Sequence, residues 1–233
     1  MLATETQAVV IDPGPDDGVH VARVLEHAAR AGRRVALILL THAHSDHRGG
    51  ADALAQAAGA QVRGRTSPRA PLRDGESIAL DRGRLQTLYT PGHAQDHVAF
   101  YWEEQGVLFS GDLILGEGTV NITPPGGSMR NYLRSLERVA GLRLELIAPG
   151  HGPLIHAPHR RIMEYLAHRR QREREVLELL ASGSQSGEAL AATIYPNLDP
   201  RLRQAAEGTV AAHLEKLVDE GRVRQTGTSF TLV

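Results

Sequence analysis

The chain has 233 residues, 41% hydrophobic and 23% charged, with a formal net charge of −1. These proportions suit a soluble globular protein of one full-sized domain, or one plus a small appendage, and so small a charge sets up no global field toward nucleic acid or membrane. The absence of cysteine excludes disulfides, thiolate nucleophiles and cysteine-ligated zinc, so any metal must be held by nitrogen and oxygen. No apolar run approaches the ~20 residues of a membrane span, the N-terminus carries no charged and apolar signal pattern, and a cytoplasmic location without membrane contact is expected.

In chain order, residues 8–11 predict a short buried strand ending in the loop Asp12-Pro13-Gly14. Asp16 or Asp17 can cap a helix running to about residue 31, with Val21, Val24, Leu25 and Ala28 on one face. The apolar run 35–40 predicts a second buried strand, and residues 49–58 a second helix. Short strands follow at 77–80, 85–90, 98–102 and 107–110, separated by turns that include Asp74-Gly75 and Arg82-Gly83. A Gly/Pro-rich loop (116–127), a helix from about 128 to 139 and a strand at 144–148 complete a first region. Helices near 160–181, 186–195 and 201–220, then a hairpin around Gly227-Thr228, describe a winged-helix-like α+β module. The expected division is 1–158 and 159–233.

Residues that suit metals recur where four of these strands end: His42, His44, Asp46 and His47, then His93, Asp112 and His151. Three imidazoles and a carboxylate within six residues are costly to bury unpaired, and a divalent cation removes that cost. Open α/β layers bind ligands at such strand ends. Asp12 ends its own strand, so it can orient a ligand histidine or simply shape its turn. His97 and His156 are further candidates for supporting the site.

The strings His42-Ala-His44-Ser-Asp46-His47, Thr90-Pro-Gly-His93, Ser110-Gly-Asp112 and Pro149-Gly-His151-Gly resemble the motif set of the metallo-β-lactamase-fold hydrolases. Gly111 to Thr119, Pro149 to His156 and the Arg-rich helix that follows make the chain similar to the β-lactamase-like protein 2 subfamily, which are single-stranded-RNA endoribonucleases in animals. Thioesterases of polyketide pathways share the layout. The resemblance implies an αββα sandwich with a C-terminal winged-helix-like module. It implies one cation on His42, His44 and His93, a second on Asp46, His47 and His151, and Asp112 bridging them. Zinc suits such donors, with manganese or iron as alternatives. Asp46 would also take or return a proton. Family members generally begin with further strands, whereas only about eight residues precede Val9: either the N-terminal strands are shortened or the true start lies upstream, and an exposed sheet edge is expected.

The expected substrate is single-stranded RNA, with a small acyl thioester as the alternative and a non-enzymatic metal-dependent nucleic-acid-binding regulator as a distant third. Tyr132, Arg169 and Arg170 are the residues expected to touch substrate, since arginine forks suit phosphate and aromatic rings suit bases. Winged-helix modules also act as lids or dimer contacts, so a homodimer is a further expectation.

Overall fold

The apolar run that delivers the first histidines is β3 (Arg34–Leu39), and it lies inside a sheet. The computed structural model describes residues 1–3, 5–81 and 83–233; Arg82 of the predicted turn falls outside them. Two compact units emerge. The first comprises Met1–Thr90, Asp96–Gly118 and Arg143–Pro158; the second comprises Pro91–Gln95, Thr119–Leu142 and His159–Val233.

In the first unit, β1 (Leu2–Ala3), β2 (Gln7–Ile11), β3 and β4 (Gln61–Arg63) form one sheet in that order. The β2–β3 and β3–β4 pairings are parallel, and β1 runs antiparallel to β2 with Leu2 opposite Val9. The edge expected to be bare is therefore covered by a two-residue strand. Helix α1 (Gly18–Arg30) starts at Asp17, whose carboxylate accepts from the Val19 and His20 amides. The predicted 49–58 helix is α3 (Ala51–Ala58), and a single extra turn, α2 (Ser45–Arg48), precedes it in the histidine stretch. Alternation along β2 and β3 sorts the side chains. Ala8, Val10, Ile38 and Leu40 pack with Val21, Ala28, Ala51 and Leu54 of the helices. Val9 and Leu39 point the other way, into a second core with Leu72, Ile78, Leu85, Val98 and Phe100.

That second core belongs to the other sheet, ordered β5 (Ser77–Ala79), β6 (Arg84–Tyr89), β7 (Val98–Trp102), β8 (Val107–Gly111) and β9 (Leu146–Pro149). The first three pairings are antiparallel and the β8–β9 pairing is parallel. After β9 the chain folds back so that Ile155 and Ile147 exchange backbone hydrogen bonds at 2.9 and 3.1 Å, which fixes the loop bearing His151.

The second unit holds α4 (Met129–Ala140), capped by the Ser128 hydroxyl, and all of α5 (Pro158–Ala181) beyond its first residue. It continues through β10 (Gln185–Ser186), α6 (Gly187–Ile194), α7 (Arg203–Asp219), β11 (Val223–Thr226) and β12 (Ser229–Leu232). The three strands form an antiparallel sheet ordered β10-β12-β11, and Val176, Leu180, Leu190, Val210, Leu214 and Leu217 make its core. Helices followed by this small sheet are the winged-helix-like arrangement that the sequence predicts. No helix among the described residues is long and apolar enough to cross a membrane.

Candidate metal centre

Three strand ends of the first unit contribute donors. β3 runs into Thr41 and His42, α2 presents Asp46 and His47, β8 delivers Asp112, and the loop after β9 carries His151. His47 is 2% exposed, yet its Nε2 lies 3.1 Å from His151 Nε2, 3.3 Å from Asp112 Oδ1 and 3.7 Å from Asp46 Oδ2. His151 Nε2 is in turn 3.2 Å from Asp46 Oδ2 and 3.6 Å from Asp112 Oδ1. A tetrahedral cation with bonds of about 2.0–2.1 Å has edges of about 3.3–3.4 Å between its ligands. The three donors on Asp46, His47 and His151, with separations of 3.1–3.7 Å, fit such an ion, and Asp112 Oδ1 stands beside the two histidines. His42, buried like His47, brings its Nε2 to 2.9 Å from His44 Nδ1 and groups with His47 and Asp112 as a further donor set.

Asp12 governs which nitrogens face this centre. Its Oδ2 lies 2.8 Å from His47 Nδ1 and accepts from the Thr41 hydroxyl at 2.6 Å, while Oδ1 accepts the Thr41 amide at 2.8 Å. Because the Thr41 hydroxyl donates to Asp12, its oxygen accepts from His42 Nδ1 at 3.0 Å. One carboxylate thus places the protons of both His42 and His47 on Nδ1 and turns Nε2 toward the metal position. Asp12 thus touches both Thr41 and His47, and its backbone is left-handed (φ 49°), a region where Asp is among the tolerated residues. Burial opposes charge on His47, but hydrogen bonds with Asp112 and Asp12 and the attraction of both carboxylates outweigh it and raise its pKa from 6.5 to about 10. The carboxylate pair is thus built to hold positive charge at the His47 ring, which a proton or a cation can supply.

His97, fully buried, accepts the Asp112 amide on Nε2 at 3.1 Å and donates from Nδ1 to the Thr90 hydroxyl at 2.9 Å. It supports the Asp112 backbone. At Gly150 a Cβ would fall 2.8 Å from both Asp112 Oδ1 and His47 Cε1, so only glycine lets the loop before His151 pass this close. His93 sits in the Pro91–Gln95 segment of the second unit, where its Nδ1 is 2.9 Å from the Asn121 carbonyl. Thr90 N–H donates to the His97 carbonyl at 3.0 Å and closes the loop that carries it. His156 is exposed and joins none of the donor groups among the described residues.

The residues expected to touch substrate are placed differently. Tyr132 is 0% exposed and packs in the face that α4 buries. Arg169 is 1% exposed; its guanidinium donates to the Val120 carbonyl and lies over the Tyr132 ring. Neither has a surface left for a ligand. Arg170 is half-exposed but faces Glu137 at 3.0 Å. Sequence reasoning passed over Thr41, Thr90 and Asn121. Thr41 and Thr90 left a signal, as hydroxyl residues at the strand ends that lead to histidines; Asn121 left none.

Residues 1–151 match the metallo-beta-lactamase superfamily, and residues 186–230 match the beta-lactamase associated winged helix domain. A Beta-lactamase-like protein 2 homolog from Drosophila melanogaster is 32% identical, covering 96% of this chain and 82% of the relative. An atrochrysone carboxyl ACP thioesterase from Aspergillus fumigatus is 27% identical, covering 99% and 77%. The crystal structure of a metallo-beta-lactamase family protein from Thermus thermophilus superposes with a TM-score of 0.84 at 27% identity, covering 100% of this chain and 92% of that one. The chain belongs to the metallo-beta-lactamase superfamily, with a C-terminal winged-helix domain.

Proposed function

We propose that the chain is a hydrolase that works with two divalent cations and acts on an acyl thioester. One cation would be held by His42, His44 and His93, the other by Asp46, His47 and His151, with Asp112 bridging. The observation that carries this reading is the set of donor atoms at ligand–ligand spacing on Asp46, His47 and His151, with Asp112 Oδ1 3.3 and 3.6 Å from the two histidines. Imidazole and carboxylate donors suit zinc, with manganese and iron as alternatives. Bound there, the cations would supply a hydroxide nucleophile at neutral pH and polarise the scissile carbonyl. The chain's own part is orientation. Asp12 and Thr41 fix the two histidine tautomers, His97 holds the Asp112 backbone, and half-exposed Asp46 stands where it can take or return a proton.

Two observations favour a thioester. The likeness to the Aspergillus thioesterase runs the length of the chain. The arginines of α5, which pointed to RNA, are already engaged: Arg160 and Arg161 face Glu164, Arg170 faces Glu137, Arg172 faces Glu175, and Arg169 is buried. Single-stranded RNA is the second reading, favoured by the likeness to Beta-lactamase-like protein 2. The test offers zinc- or manganese-loaded protein a panel of acyl thioesters and labelled single-stranded RNA. Thiol release that disappears in Asp112→Ala and His151→Ala is the expected result. RNA cleavage with the thioesters intact would transfer the reading to RNA. Turnover that survives both substitutions and chelation would remove the metal mechanism altogether.

A further inference from the structure

A chain of hydrogen bonds inside the second unit runs from the C-terminal helix α7 to His93. His93 Nδ1 lies 2.9 Å from the backbone carbonyl of Asn121. A carbonyl only accepts, so the ring carries its proton on Nδ1 and offers the Nε2 lone pair. The Asn121 side-chain oxygen then accepts from two hydroxyls, Thr123 and Thr209, each at 3.2 Å. Thr209 is 6% exposed on the rigid body of α7, whereas Asn121 lies exposed in the Gly/Pro-rich stretch.

The residue beside Thr209 confirms how closely helix and loop approach. Gly208 sits within α7, where glycine costs about 1 kcal/mol relative to alanine. A Cβ there would lie 2.7 Å from the Thr123 methyl and 3.0 Å from its Cβ. Glycine lets the helix meet the 121–123 segment backbone-first, and Thr209 supplies the hydrogen bond that registers it.

We infer that Thr209 is a positioning residue for the metal centre, holding Asn121 so that the Asn121 carbonyl fixes the tautomer and direction of His93. The inference rests on the assignment of His93 as a metal ligand. A carbonyl on an exposed loop can swing, and a histidine hydrogen-bonded to it swings as well; anchoring the loop to a buried hydroxyl removes that freedom.

The test is a metal titration of the full-length protein against a chromophoric chelator, using zinc, with thermal melts of the metal-free forms alongside. Thr209→Val removes the hydroxyl and keeps the shape; Thr209→Ser keeps the hydroxyl. Partners that orient a ligand typically change metal affinity 10–100-fold, and Thr209 acts one bond further out. Thr209→Val is therefore expected to weaken one of the two sites about tenfold, leave the other unchanged and leave the metal-free melt near wild type. Thr209→Ser should bind as wild type does. Gly208→Ala, which pushes Thr123 and Asn121 away, should weaken the same site. His93→Ala separates the two layers of the reading. If it still binds two equivalents, the ligand assignment fails and the inference with it. If it loses one equivalent while Thr209→Val binds both as wild type does, the assignment stands and the inference is overturned. Equal weakening of both sites with a lowered melt would mark Thr209 as merely structural and also overturn it.

Discussion

Replacing Asp12 by asparagine changes one atom in the centre and should invert two histidines. In the native site Oδ2 accepts from the Thr41 hydroxyl (2.6 Å) and from His47 Nδ1 (2.8 Å), and Oδ1 accepts from the Thr41 amide (2.8 Å). If the new amide nitrogen takes the Oδ2 position, His47 must accept there, which moves its proton to the Nε2 that faces Asp46, Asp112 and His151. Thr41 then receives a hydrogen bond from the substituted side chain and donates to His42, which moves that proton to Nε2 as well. If the amide flips, its NH2 meets the Thr41 amide donor to donor, and a buried donor left unpaired costs about 1–3 kcal/mol. Loss of a ligand-orienting partner usually weakens metal binding 10–100-fold, or about 1.4–2.7 kcal/mol. Chelator competition at pH 7.5 measures the affinity, and nitrogen chemical shifts of the imidazoles report the tautomers. Wild-type affinity at both sites, with Nδ1–H retained on His42 and His47, would refute the role of Asp12.

Three further outcomes follow from the same geometry. Gly150→Ala places a methyl 2.8 Å from Asp112 Oδ1 and His47 Cε1; it should keep the fold by circular dichroism and lose bound metal by elemental analysis. In the second unit, burial works against the Glu173 carboxylate, but His213 and Lys216 outweigh it and hold the pKa at about 2, with Lys216 Nζ 2.7 Å away. A pKa lowered on folding contributes stability above the unfolded value of 4.5 and loses it as the pH falls toward 2. Melts should therefore drop between about pH 4.5 and 2, and Glu173→Gln should flatten that drop; an unchanged acid limb contradicts the assignment. Arg169→Met removes a buried guanidinium from the Val120 carbonyl and the Tyr132 ring. Hydrogen bonds to charged groups contribute about 1.5–3 kcal/mol, so urea denaturation should show a loss of that order, and no loss would mean that the contact adds nothing.

The donors of the first unit were legible in the sequence because they sit where strands stop, and a strand end is fixed by local pattern. Their supports were not. Asp12 reads equally well as a turn residue until β2 and β3 are laid parallel, and only that register brings it to Thr41 and His47, 29 and 35 positions away. β4 escaped notice because three half-exposed or exposed residues, Gln61–Arg63, show no alternation and gain their pairing from β3. Arg169 belongs to a run of charges that reads as a solvated helix face. Its burial depends on the Val120 carbonyl 49 residues earlier, which no helical period reveals. The short β1 strand has the same character, since two residues carry no pattern and are ordered by β2.

The central claim is that side chains from separate strand ends share a pair of cations. Elemental analysis of protein saturated with zinc and freed of excess tests it most directly. The account predicts two equivalents per chain, falling by one or more in His151→Ala while the fold persists. Less than one equivalent in the wild-type protein, or the same count in wild type and His151→Ala, would contradict it.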